Sequence, residues 1–345
     1  MSRKIKFVVI GFGHIGKRHV EMIIHNSQAE LVGIVDIKPP CQSDIPVEYD
    51  IPVFISFNDL LGSKIIFDVV NICTPNGLHA EQALQAFEHK KHVVIEKPIA
   101  LNKLDAEKLI SKALNVQKHL FAVMQNRYSP PSIWIKEIID LKLLGKIYMV
   151  QLNCYWNRDQ RYYKVGGWHG KKDLDGGTLF TQFSHFIDII FWLFGDIENI
   201  HSNIRKFDYK KMTEFEDSGA VNFDFMNGGI GSFNFSTSVW DKNLESSMTI
   251  VAENGSVKIG GQYMDKVEVC NINGYTMPEL APTNPGNDYG MYTGSAQNHN
   301  FVIKNVVDVL NNRASISTNA FEGMKIVDII ERIYKSSSLN ENLTE

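Results

Sequence analysis

The chain has 345 residues, of which 44% are hydrophobic and 21% charged, and its formal net charge at pH 7 is −4. This composition excludes disordered and fibrous classes, and the lack of a basic excess argues against a nucleic-acid partner. The length favours two domains over a single core.

The cysteines and the apolar runs exclude further classes. Cys41, Cys73, Cys154 and Cys270 are far apart and form no C-x-x-C pair, so we predict neither a metal site nor a redox motif. The apolar run before Gly11 is short for a signal peptide, and no segment reaches the roughly 18 apolar residues of a membrane helix. We therefore predict a cytoplasmic protein without membrane insertion.

Up to residue 125, short apolar runs alternate with helix-like segments. The strand-like runs are "IKFVVI", "LVGIVD", "FDVVNIC", "HVVIE" and "LFAVM". This alternation is typical of βαβ units, and it predicts a doubly wound parallel sheet in a domain that spans residues 1–125.

The first strand runs into "GFGHIG", a G-x-G-x-x-G pattern formed by Gly11, Gly13 and Gly16. The first glycine permits a tight turn, the second lets a pyrophosphate approach the backbone, and the third lets helix and strand pack closely. Backbone amides at the helix start, at His14 and Ile15, would then bind the diphosphate.

Asp36 ends the next strand, "LVGIVD". A carboxylate at that point accepts hydrogen bonds from the adenosine ribose hydroxyls and repels a 2′-phosphate, which favours NAD over NADP. The alternative is that Asp36 only caps a loop.

Polar residues follow two neighbouring strands. Thr74, Pro75 and Asn76 end "NICTPN", and Glu96 and Lys97 end "HVVIEKP". Because ligands bind at the carboxyl ends of strands in open α/β sheets, we predict that both loops border a nicotinamide. The alternatives are a helix N-cap for the first loop and a solvated ion pair for the second.

After residue 125 the pattern changes. "PPSIWIKEIIDLKLLG" predicts a helix, strand-like segments joined by the Asn-Gly turns "MNGG" and "ENGS" predict hairpins, and further helices are expected near residues 296–312 and 321–336. We predict an α+β domain over residues 126–345 with a large open, mostly antiparallel sheet. A helix over residues 178–194 would cover one face, and the other is expected to pack on a partner subunit of a homodimer or homotetramer.

In that helix Thr181, Ser184, His185 and Asp188 have the spacing i, i+3, i+4 and i+7 and would share one face. A core histidine satisfied by a neighbour is the alternative to a functional His185. An alcohol that loses a hydride needs a base and a cation for the developing alkoxide, and His185 and Lys97 can supply them.

Together, "GFGHIG", Asp36, "TPNGLHAE", "EKPIA" and "DGGTLFTQFSHFID" resemble the glucose-fructose oxidoreductase / inositol dehydrogenase (Gfo/Idh/MocA) family over essentially the whole chain. The resemblance implies a Rossmann domain, a C-terminal domain used in oligomerisation, and NAD(P)-dependent chemistry on a sugar-type alcohol. It also implies that Lys97 and His185 are catalytic and that His79 and Glu96 lie at the cofactor.

The chain departs from the family pattern at two positions. Thr181 stands where the family has the Asp of D-x-x-x-H, so a proton relay through a carboxylate is in doubt although Thr181 stays a catalytic-site residue. "WHG" stands where Trp-Arg often contacts the cofactor, and we expect Trp168 and His169 there.

"QNRYSPP" and "YWNRDQRYY" are similar to the branch that includes UDP-N-acetyl-2-amino-2-deoxyglucuronate dehydrogenases, which oxidise the 3-hydroxyl of a hexuronate in bacterial surface-polysaccharide synthesis. The similarity implies a UDP-sugar substrate, with a forked arginine on its carboxylate or diphosphate and a tyrosine on its uracil. The implied binding residues are Arg127, which could also serve the cofactor, Tyr128, Arg158, Arg161, Tyr162, Tyr163 and Gln182.

Three alternatives stay open. "NRDQRYY" could be a solvated basic loop, and the substrate could be a free sugar or inositol. A non-catalytic NAD-binding regulator on the same fold is the third, against which the presence of both Lys97 and His185 argues.

Overall fold

The computed structural model describes residues 3–38, 45–46, 49–164, 166–207 and 212–341. Cys41 lies outside these ranges, whereas Cys73, Cys154 and Cys270 are free thiols. Within the described residues, every helix is too short or too polar to cross a membrane.

The chain forms two compact units. The first combines Met1–Met124 with His299–Val327, and the second combines Gln125–Asn298 with Asp328–Glu345. The sequence analysis placed every residue from 126 onward in the second domain, but α8 (His299–Leu310) and the start of α9 (Ala320–Glu341) fold with the first unit. The reason is that α8 packs on α1 (His14–Ile24), so a helix distant in sequence completes the first core.

The first unit confirms the predicted doubly wound sheet. Its six strands are all parallel, in the order β3-β2-β1-β4-β5-β6. The order reverses between β1 and β4, and the crevice at such a reversal is where ligands bind in this fold. The strands are β1 (Ile5–Ile10), β2 (Ala29–Val35), β3 (Val53–Phe54), β4 (Val69–Ile72), β5 (His92–Ile95) and β6 (Leu120–Ala122), and the further helices are α2 (Phe57–Leu61), α3 (His79–Glu88) and α4 (Lys103–Asn115).

The second unit contains the predicted large open sheet. Its seven strands have the order β13-β12-β11-β7-β10-β9-β8, and they pair antiparallel except for the parallel neighbours β7 and β10. The strands are β7 (Ile147–Tyr155), β8 (Ile197–Arg205), β9 (Ser218–Phe225), β10 (Ile230–Ser236), β11 (Glu245–Ala252), β12 (Gly255–Gly260) and β13 (Lys266–Ile272), with a separate hairpin of β14 (Gly286–Asp288) and β15 (Thr293–Ala296). Its first helix is α5 (Pro130–Asp140).

The helix predicted over residues 178–194 is wrong in one respect, because it is two helices. α6 (Thr178–Thr181) and α7 (Ser184–Phe194) are separated at Gln182 and Phe183, where the Phe183 amide donates to the Thr178 carbonyl. The two helices nevertheless cover the inner face of the sheet, since the Phe183 ring packs on Phe233 and Phe235 of β10.

The outer face of the sheet is less apolar than predicted. Met149, Ile230 and Val251 are neighbours across β7, β10 and β11 and are 46%, 50% and 40% exposed. The next row on that face is polar, with Gln151 paired to Ser232 and Thr249, and Lys258 continues this row beside Thr249. The outer face therefore carries one apolar row beside a polar row that is uncharged on its three central strands.

Candidate active site

The glycine loop after β1 fits a dinucleotide. Gly11 has φ +88° and a Cβ on it would lie 2.7 Å from the Cys73 carbonyl oxygen, while a Cβ on Gly16 would lie 1.8 Å from the Gly11 oxygen. These two glycines are needed by the fold itself. Gly13 is exposed and a Cβ there would meet nothing within 4 Å, so the free space lies where a ligand would approach the amides of His14 and Ile15.

Asp36 caps a loop, which the sequence analysis gave as the alternative to a ribose contact. Its Oδ2 accepts from the Phe12 amide at 2.7 Å, and its Oδ1 accepts from the Lys38 amide at 2.9 Å. The carboxylate thus holds the glycine loop in place, but it is half-buried, and each oxygen has a second lone pair for a ribose hydroxyl.

The loops after β4 and β5 are tied together by His79. This buried imidazole contacts the Pro98 carbonyl oxygen through Nδ1 at 2.7 Å and the Thr74 carbonyl oxygen through Nε2 at 2.8 Å. Burial lowers the pKa of His79, although both carbonyls favour its protonated form. With both nitrogens in contact with carbonyl oxygens, His79 braces the two loops, and its contact with the cofactor stays a prediction. Thr74 donates to Gln82 instead of capping a helix, and Pro75 and Asn76 complete the turn.

Glu96 differs from its predicted place at the cofactor. Its carboxylate is turned inward and is 6% exposed, with Oε1 2.9 Å from His19 Nε2 and 3.4 Å from His299 Nε2. Its neighbour Lys97 is half-buried. The sequence analysis missed His19 and His299. They could have been noticed as histidines on the buried face of α1 and at the start of α8.

In the second unit Arg158 is the centre of a buried polar and aromatic cluster. The guanidinium is 5% exposed and donates to four neutral oxygen acceptors, on Gln182, Asn157, Asn243 and Thr293. It also lies 4.8–5.3 Å from the centroids of the Trp156, Tyr292 and Tyr162 rings. Among the described residues, no carboxylate forms an ion pair with it.

The burial of that charge has two consequences. Burial lowers the pKa of Arg158, yet a guanidinium stays protonated, so the cluster holds a positive charge that only neutral groups compensate. A buried charge without a counter-ion is costly, and an anionic ligand would remove that cost. A pocket of about 230 Å³, lined in part by Arg161, Asn243, Tyr292 and Thr293, opens beside the cluster.

The other predicted arginines already have acidic partners. Arg127 is 5% exposed and forms a forked ion pair with Asp188, with Nε and Nη2 at 2.8 and 2.6 Å from the carboxylate oxygens. Arg161 contacts both carboxylate oxygens of Asp159 through Nε at 3.0 Å, and its Nη1 lies 3.5 Å from Asp241. The predicted anion-binding function of Arg127 stays a prediction, but Arg127 and Arg161 are weaker candidates than Arg158 because each already has an acidic partner.

The aromatic residues of this unit pack on one another. Tyr162 and Tyr163 are each 7% exposed and meet edge to face at 5.0 Å, so neither ring is a free platform for uracil as predicted. His169 stacks on Trp168 at 3.9 Å and contacts Tyr162 at 4.2 Å. Trp168 and His169 thus belong to the aromatic cluster around Arg158 and Tyr162. Tyr128 is half-buried in the single turn Gln125–Tyr128.

His185 is buried and has a polar neighbour. Its Nε2 accepts from the Gln125 amide nitrogen at 3.2 Å, which identifies Nε2 as a nitrogen that can take up a proton. This contact is also consistent with the core alternative, a buried histidine satisfied by a neighbour.

Thr181 has a carboxylate partner that the sequence analysis did not find. The Thr181 hydroxyl donates to the carboxylate of Asp175, which is fully buried and also accepts from the Gly170 amide at 2.7 Å. The feature of the sequence that could have indicated this partner is an acidic residue directly before Gly176 and Gly177. A carboxylate six residues earlier in the chain therefore contacts the residue that stands in place of the missing Asp.

Comparisons with known proteins agree with this arrangement. Residues 5–124 match the family model of an oxidoreductase family with an NAD-binding Rossmann fold, GFO_IDH_MocA, and residues 133–258 match the GFO/IDH/MocA C-terminal domain. The chain is similar to the crystal structure of the WlbA dehydrogenase from Bordetella pertussis in complex with NADH and UDP-GlcNAcA. That similarity has a TM-score of 0.87 and 30% identity, and it covers 97% of each chain.

Curated relatives include sugar and cyclitol dehydrogenases. The inositol 2-dehydrogenase of Rhizobium meliloti is 22% identical over 340 residues, 96% of each chain. The chain spans about half the length of the first curated relatives that it matches. One of these, the 1-carboxy-3-chloro-3,4-dihydroxycyclohexa-1,5-diene dehydrogenase of Comamonas testosteroni, is 26% identical over 63% of this chain and 54% of that protein.

Proposed function

Because the chain belongs to the GFO/IDH/MocA oxidoreductase family, we propose that it uses NAD to oxidise the 3-hydroxyl of a UDP-N-acetylhexosaminuronate. The observation that carries the substrate class is the buried Arg158 guanidinium, which is surrounded by neutral groups and suited to an anion. The similarity to a WlbA dehydrogenase structure that contains NADH and UDP-GlcNAcA supports the same class.

In this proposal, separate residues bind the cofactor and act on the substrate hydroxyl. The amides at Gly13, His14 and Ile15 bind the diphosphate, and Asp36 binds the adenosine ribose. When bound, NAD supplies the hydride acceptor. The Lys97 ammonium stabilises the developing alkoxide, and His185 takes up the hydroxyl proton at Nε2.

An absorbance assay tests the proposal. We expect NADH formation with UDP-N-acetylglucosaminuronate, weak or no formation with UDP-N-acetylglucosamine, which lacks the carboxylate, and none with inositol. A keto-acid acceptor in parallel reactions allows turnover if NADH stays bound. The second candidate, a free-sugar or inositol dehydrogenase, is supported by the inositol 2-dehydrogenase match and would replace the first if only uncharged polyols react. No turnover with any alcohol would favour a regulator.

Cofactor preference follows from Asp36. NAD should bind at least about tenfold more tightly than NADP, or about 1.4 kcal/mol, because the carboxylate repels a 2′-phosphate. Asp36→Asn keeps an oxygen acceptor for the Phe12 amide but removes the charge, so the preference should narrow without loss of the loop. Fluorescence titrations with NADH and NADPH measure both constants. Equal affinities in the unaltered protein would contradict the assignment.

We also propose that the protein is a homodimer or homotetramer joined through the outer sheet face. The apolar row of Met149, Ile230 and Val251 lies beside a row that is uncharged on β7, β10 and β11, and depletion of charge is typical of interface centres. Met149→Arg should shift the light-scattering mass towards the monomer. Ile66→Arg, at another exposed apolar residue, is the matched control and should leave the mass unchanged. A monomeric unaltered protein at micromolar concentration would reject the proposal.

A further inference from the structure

A buried cluster in the first unit lies directly behind Lys97. Its members come from four elements: His19 from α1, Asn71 from β4, Glu96 from the end of β5 and His299 from α8, and each is at most 6% exposed. The Asn71 amide nitrogen lies 2.8 Å from His19 Nδ1, and His19 Nε2 lies 2.9 Å from Glu96 Oε1.

The contact between His19 and Glu96 has the geometry of a hydrogen bond. The ligand atoms of His19, Glu96 and His299 lie within 4.8 Å of one another, a spacing that could hold a metal. However, Asn71 donates to His19 Nδ1, so the ring proton is on Nε2 and points at the carboxylate. The 2.9 Å contact is the length of a hydrogen bond and is shorter than the roughly 3.3 Å between tetrahedral ligands with bonds of about 2.0 Å.

The two histidines keep a buried carboxylate charged. Burial alone would raise the pKa of Glu96, but contacts from His19 and His299 outweigh it and hold that pKa well below its usual range. Burial lowers the pKa of His299 itself. The other titratable or charged groups that face the cluster are Arg18 from α1, Cys73 after β4 and His79 from α3.

Glu96 is connected to Lys97 through the backbone. Its Oε2 accepts from the Lys97 amide at 3.2 Å, so the orientation of the carboxylate fixes the start of the loop that carries the lysine. We propose that His19 and His299 are positioning residues that keep Glu96 ionised behind Lys97, so that Lys97 meets its substrate as an ammonium in a fixed place. This inference rests on the proposed function, in which Lys97 stabilises an alkoxide.

The titration of Lys97 tests the proposal without any substrate. Lysines of the full-length protein are reductively methylated with ¹³C-formaldehyde, and the Lys97 resonance is identified by its absence in Lys97→Arg. Glu96→Gln should lower the Lys97 titration midpoint by at least about one pH unit, because the ammonium loses an adjacent negative charge. His92→Gln, at the opposite end of β5, is the matched control and should leave the midpoint unchanged.

The histidines have their own signature in the same spectra. In His299→Gln, Glu96 loses one of two contacts that offset its burial, so its protonation should appear as a second inflection of the Lys97 signal between about pH 5 and 8. His19→Gln should show the same inflection, whereas the unaltered protein should not. An unchanged Lys97 midpoint in Glu96→Gln, or the lack of that inflection in both histidine variants, would overturn the proposal. One equivalent of chelator-removable metal in the purified protein would also overturn it. The Lys97 titration uses no substrate, so its result can be interpreted even if the UDP-sugar assay fails.

Discussion

Lys97→Met is expected to lower kcat by at least about a hundredfold while the dissociation constant of NAD changes little. In the proposed function, an ammonium at the end of β5 stabilises the alkoxide in the transition state, whereas the glycine loop and Asp36 bind the diphosphate and ribose. Methionine keeps the length of the side chain and removes only the charge. Stopped-flow hydride transfer and NADH fluorescence titration measure the two quantities separately.

The matched control is Lys108→Ala, which removes an exposed lysine on α4 that pairs only with the neighbouring Asp105. We expect its kcat and NAD affinity to equal those of the unaltered protein, because exposed ion pairs of this kind contribute little. If Lys97→Met retained near-normal kcat, Lys97 would be a surface residue of the loop and the proposed division of the chemistry would be wrong.

Arg158→Gln is expected to weaken binding of the UDP-hexuronate by roughly 2–5 kcal/mol, seen as a large rise in KM. The guanidinium is buried among Trp156, Tyr162 and Tyr292, so its contact with an anion would be little screened by water. Glutamine can keep part of the hydrogen bonding to Gln182 and Thr293 while it removes the charge. The measurement is KM for the UDP-hexuronate, with the unfolding temperature recorded to confirm that the variant is folded.

Arg161→Gln is the control that distinguishes a binding arginine from a charged loop. Its guanidinium is already paired with Asp159 and Asp241, so we expect a much smaller rise in KM than for Arg158→Gln. An equal effect of both changes would indicate a general effect of positive charge on the loop. If Arg158→Gln left KM for the UDP-hexuronate unaltered, the anion would have to bind elsewhere, and the nucleotide-sugar proposal would lose its main support.

The arginines of the candidate site could not be ranked from the sequence. "NRDQRYY" and "QNRY" present three arginines with equal claims to an anion, and only the fold shows that Arg127 and Arg161 have acidic partners and Arg158 has none among the described residues. Asp188 illustrates the reason. Its spacing to His185 suggested a shared functional face, but its carboxylate binds Arg127, which is 61 residues away in the chain.

The sequence by itself determined the features that depend on residues close together in the chain. The alternation of apolar runs with helix-like segments, the Asn-Gly turns and the glycine loop are local patterns of the chain, so the parallel sheet, the large second sheet and the dinucleotide loop could be predicted. The tertiary structure alone decided the partners of buried polar groups. His19 meets Glu96 across 77 residues, and His299 joins them only because α8 packs on α1. The partner of a buried charge is the group that the fold places beside it, and that group cannot be predicted from a local sequence pattern.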